Sequence, residues 1–201
     1  MKVKLITAFA FLANFTFAQN TIKMTSNYGS KDSEIQTLID FENIYIEQLN
    51  FEGANLKGKS YQIRLEEYVN GKLTKSSMLF DGSESDYFKI ASEKDSLKFF
   101  FKLSDGRLKI FLCGNKFRSK KSYFKLADDA DKYALKNFLG NKNEIQIETD
   151  KKNFIFAIIT PTIHKDGSGS YCEVAQSDEK PENLGMKFKI PHYFLITLIF
   201  K

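Results

Sequence analysis

Residues 61–66, Tyr-Gln-Ile-Arg-Leu-Glu, alternate apolar and polar, and Asn70-Gly71 follows shortly after. A period of two puts Tyr61, Ile63 and Leu65 on one face of a strand and the polar side chains on the other. Asn-Gly accepts the two consecutive positive φ angles of a type I′ turn, so residues 72–80 are expected to return antiparallel to the first strand. The pattern recurs where residues 97–103 and 107–113 flank Ser104-Asp105-Gly106. Two such hairpins commit this part of the chain to antiparallel sheet.

Further strands are expected at residues 44–49, 87–90, 123–126, 144–148, 154–160, 186–190 and 193–200, separated by turn-forming residues. The run Phe99-Phe100-Phe101 places rings on both faces of its strand, as a strand buried on both sides would, and reads as packing. Ser33 with Gln36 fits a capping box opening a short helix whose inner face is Ile35, Leu38 and Ile39. A second helix is expected from Asp128 and Asp129, through Ala130, Tyr133, Ala134 and Phe138, to a C-terminal Gly140. About ten short strands with one or two short helices predict an all-β, β-sandwich-like fold of antiparallel sheets.

Lys2 and Lys4 precede a nearly uncharged apolar run that ends in Thr16-Phe17-Ala18, the form of a secretory leader cleaved after residue 18. The run is short for a membrane span, which needs roughly 20 apolar residues. No cysteine stands next to it to receive a lipid. The expectation is a Sec-type signal over residues 1–18, a polar lead-in and short helix over 19–42, and one sandwich-like domain over 43–201. The destination is periplasmic or secreted, with no transmembrane segment after cleavage.

The formal charge is +5, of which Lys2 and Lys4 contribute two, and the rest reads as a dispersed mixture. Arginine occurs only at 64, 107 and 118, whereas base readout and bidentate phosphate binding lean on arginine. Nucleic acid is therefore not expected as a partner. Cys113 and Cys172 are the only cysteines, and in an oxidising compartment they are expected to form a disulfide.

Chemistry-bearing residues gather in His164-Lys165-Asp166-Gly167-Ser168-Gly169-Ser170-Tyr171-Cys172-Glu173. Its start resembles an EF-hand loop, but Ala175 stands where the bidentate glutamate should be. With two His and two Cys in the whole chain, zinc spacing is absent. A nucleophile at Cys172, Ser168 or Ser170, with His164 or His192 as base, would make an envelope hydrolase, yet no G-x-S-x-G elbow or other complete motif surrounds them. No cofactor or metal is implied. The residues read best as an inter-strand recognition loop, formed by His164, Asp166, Ser168, Ser170, Tyr171 and Glu173. His192, after Pro191, is expected half-exposed at the start of a strand. The expectation is a non-catalytic binding protein of the cell envelope whose partner is a protein or a glycan. A third class is a structural subunit that pairs the edge of its strand at 193–200 with a neighbour.

Overall fold

The computed structural model describes residues 20–171, 174, 177 and 179–201. The expected leader lies outside them, as do Cys172 and Glu173. The described residues form an all-β, antiparallel sandwich. In chain order the elements are β1 (Thr21–Tyr28), α1 (Ser33–Phe41), β2 (Ile44–Glu52), β3 (Tyr61–Val69), β4 (Lys72–Asp81), β5 (Lys94–Ser104), β6 (Arg107–Gly114) and β7 (Ser122–Lys125). They continue as β8 (Ala134–Asn137), β9 (Glu144–Glu148), β10 (Asn153–Ile159), β11 (Thr162–Ile163), β12 (Gly169–Ser170), α2 (Leu184–Phe188) and β13 (His192–Phe200). Sheet A runs β7-β6-β5-β2-β1-β9 and sheet B runs β4-β3-β13-β10-β8. None of the described helices is long and apolar enough to cross a membrane.

Both hairpins form as the sequence expects. Asn70 and Gly71 take φ of 50° and 75° between β3 and β4, and Asp105 and Gly106 take 53° and 66° between β5 and β6. The inner faces of the two sheets meet through alternate residues. Phe99 and Phe101 of sheet A both contact Phe156 of sheet B edge-on, at 5.1 and 5.6 Å between ring centres, and Phe51 meets Phe200 at 5.4 Å. These aromatic contacts, with Ile22, Met24, Leu49, Ile63, Leu65 and Ile196, make the main core.

Sheet B also buries its outer face. Tyr68, Ala157, Ile159, Tyr193 and Leu195 lie there beneath Val174, Leu184 and Ile190, from the long connection between β10 and β13. β13 is thus apolar on both sides, which explains its unalternating sequence HYFLITLIF. It sits between β3 and β10 with both edges hydrogen-bonded, so it offers no free edge to a neighbouring subunit. Gly185 permits this cover to close: a Cβ there would fall 2.8 Å from Cα of Gly71 and 2.7 Å from the Tyr193 ring.

Four local expectations are corrected. The polar lead-in contains β1, which pairs with β2 and β9 and buries Ile22 and Met24. The expected helix at 128–140 is a 3-10 turn, Ala130–Lys132, followed by β8, because pairing with β10 outweighs the local helical spacing. Residues 87–90 and 186–190 are not strands; their neighbourhoods hold a 3-10 turn, Asp86–Phe88, and α2. Asp32, one residue before the expected cap, accepts from the amides of Glu34 and Ile35 at the start of α1, whose Ile35 and Leu38 are exposed while Ile39 is buried.

Candidate functional site

The expected recognition loop folds onto itself. β11 and β12 make a small ribbon whose tip is closed by His164 N–H donating to the Ser168 carbonyl and Gly167 N–H donating to that of His164. Asp166 Oδ1 accepts from the Ser168 amide at 3.0 Å and from its hydroxyl at 2.7 Å. The Ser168 hydroxyl and then its amide hold the Asp166 carboxyl below its usual range. Tyr171 donates its hydroxyl to the Lys132 carbonyl at 2.7 Å and packs against the cluster on the outer face of sheet B. The tip residues are therefore engaged with one another, and Tyr171 is an anchor. Ser170 belongs to the ribbon, and Glu173 lies outside the described residues.

His192 is buried, with only 3% of its surface exposed, in place of the half-exposed ring expected. The Ala127 amide donates to the Tyr133 oxygen at 3.1 Å, which leaves the phenol proton for Nδ1 of His192 at 2.6 Å; Nε2 donates to Glu67 Oε1 at 3.2 Å. Burial raises the Tyr133 pKa, so the phenol stays protonated. This relay ties the start of β13 to the segment before β8 and to β3. Both ring nitrogens of His192 are thereby engaged, and the Ser168 hydroxyl is bonded to Asp166. Among the described residues no three His, Cys, Asp or Glu side chains group as metal ligands would.

Cys113 stands on the outer face of sheet A with a free thiol, and Cys172, its expected disulfide partner, lies outside the described residues.

A different surface concentrates the charge. Residues 94–125 hold ten Lys or Arg against two Asp, a net +8, while the whole chain carries +5, so all other residues sum to −3. The basic residues are not dispersed, as sequence reading had them; counting charge over a window of this length would have found them. Period two then sorts those on β5, β6 and β7 onto one face, while Lys116, between β6 and β7, reaches the Lys89 carbonyl at 2.6 Å. β5 turns Lys98, Phe100 and Lys102 outward, and their partners on β6 are Cys113, Phe111 and Lys109. Phe100 is therefore not core, in contrast to Phe99 and Phe101 on either side. Its ring lies 5.9 Å from that of Phe111.

Two grooves flank this ring pair. One, of about 180 Å³, is lined by Ile44, Phe100, Lys102, Lys109, Phe111 and Lys121. The other, of about 320 Å³, runs past Gln48, Ser96, Lys98, Cys113, Asn115 and Arg118. Lys102 pairs with Glu42 at 2.6 Å, and Lys109 lies 5.8 Å over the Tyr123 ring. Among the described residues Lys98, Lys109, Lys121 and Lys125 form no ion pair. Like charges held this close raise the local potential and attract a polyanion.

Comparison with known proteins gives no relative: no family model, no curated protein and no solved structure matches this chain.

Proposed function

We propose that this protein is an exported, non-catalytic binding protein of the cell envelope that holds a polyanionic partner on the outer face of sheet A. The observation that carries the reading is the net +8 of residues 94–125, of which strand alternation sets Lys98, Lys102 and Lys109 around Phe100 and Phe111. Self-repulsion among these lysines costs the free protein stability, and an anionic partner relieves it. The face consists of paired strands, so its side chains are preorganised for binding. Export is supported by the leader-like residues 1–18.

The test is retention on immobilised polyphosphate over a salt gradient. Wild-type protein should elute late, and Lys98→Glu/Lys109→Glu earlier, with a thermal midpoint equal to or above that of wild type, because both side chains point outward and the reversal relieves their repulsion. The salt dependence should flatten as the neutralised contacts are lost. Equal elution of the two proteins rejects this face as the binding surface.

A further inference from the structure

Resting on that reading, we propose that the partner is an acidic polysaccharide, its sugar rings lying on Phe100 and Phe111 and its carboxylates meeting the lysines beside them. Three features of the face select this chemistry. Lys98 and Lys102, the latter also paired with Glu42, flank Phe100 at about 7 Å along the strand on either side, so cation, ring and cation alternate along one line. Phe111 doubles the ring platform on the next strand. Beside the platform runs a neutral polar row: Gln48 Nε2 donates to Asn50 Oδ1 at 3.0 Å, and Asn50 Nδ2 donates to Thr25 Oγ1 at 3.5 Å. That row presents an amide acceptor at Gln48 and a hydroxyl donor at Thr25, the mixed set that sugar hydroxyls need.

Other polyanions fit less well. Phosphate recognition favours guanidinium forks, whereas the cations that flank the rings are lysines; Arg118 gives Nη1 to the carbonyls of Gly114 and Phe117 at 2.6 and 2.9 Å, and Arg107 stands exposed at the start of β6. A bilayer surface calls for protruding apolar side chains, whereas Phe100 and Phe111 are half-buried in the groove floor and only Tyr123, at 54%, stands clear.

The experiment is titration of the full protein with a galacturonate oligomer, its methyl ester, polyphosphate, a single-stranded oligonucleotide and phosphatidylglycerol vesicles. The galacturonate oligomer should bind most tightly and the uncharged ester should not bind. Phe100→Leu/Phe111→Leu keeps apolar bulk but removes both rings; it should weaken galacturonate about tenfold or more, the loss expected of lost stacking, and leave polyphosphate within about twofold. Thermal midpoints show whether the variant is folded, and Phe111→Leu alone gives the same comparison if the double variant is not. Tighter binding of polyphosphate, oligonucleotide or vesicles, or indifference to the Phe substitutions, overturns the polysaccharide assignment while leaving a polyanion-binding face. Absence of binding to every probe, or binding untouched by Lys98→Glu/Lys109→Glu, defeats that underlying reading as well.

Discussion

Glu47 is 3% exposed on the inner side of β2, where its carboxylate accepts from the hydroxyl of Ser26 and the side chain of Asn137. Burial pushes its pKa up, and the two hydrogen bonds only partly offset this. A carboxyl whose pKa is raised on folding binds its proton more tightly in the native state. Its cost is absent below the ordinary carboxylate range, grows as pH climbs from there to the raised value, and is constant above it. Glu47→Gln keeps an acceptor for Ser26 without the charge. Its melting temperature should exceed that of wild type at pH 7 and approach it near pH 4; a gap of the same size at both pH values would mean that ionisation is not the cause. Nothing in the local sequence singles out Glu47, since its burial comes from a strand in the other sheet. The turn residues Asn70, Gly71, Asp105 and Gly106 were legible because positive φ is a property of the residue itself. Phe100 and Phe99 are the same residue type one position apart, and only the packing of sheet A on sheet B decides which of them turns outward.

Among elements, those with strong internal alternation were read correctly and those defined by distant pairing were not. β3, β4, β5 and β6 carry their own pattern and turns. β1 has just two buried apolar side chains in eight residues and becomes a strand because β2 and β9 flank it. β8 sits where helical spacing and strand pairing conflict, and four paired residues on β10 decide the outcome. The cover over sheet B is not legible as one layer, a loop with a strand at 186–190 being expected there, because its few apolar anchors, Val174, Leu184 and Ile190, are widely spaced in sequence. Leu184 is fully buried under this cover. Leu184→Ala should cost about 2–5 kcal/mol in urea unfolding. A loss under about 0.5 kcal/mol, the range of surface substitutions, would mean that the cover adds nothing to the fold.

For the molecule as a whole, the overall charge conceals its distribution. A chain of +5 contains one segment of +8, and the sandwich turns that segment into a surface with a sign of its own. The class of fold was readable because hairpins and alternation are local; the candidate site was not, because it joins four strands, β1, β2, β5 and β6, whose order follows from the fold. Export and the free thiol share one measurement. Intact mass of protein taken from the exported fraction, with alkylation before and after reduction, should show cleavage after Ala18 and a thiol at Cys113 that reacts without reductant. Reaction of that thiol only after reduction would establish the disulfide, and retention of residues 1–18 would remove export from the proposal.

The position of β13 bears on the order in which the protein can be assembled. Every other strand of sheet B precedes it in the chain, yet β3 and β10 are joined only through it. As the chain emerges from a ribosome or a translocation pore, β3–β4 can close as a hairpin, but sheet B has no middle until residues 192–200 are free. Folding therefore waits on the latest strand to emerge. Under the proposed export, a chain that stays open until then would still be threadable through a secretion channel that admits only unfolded polypeptide.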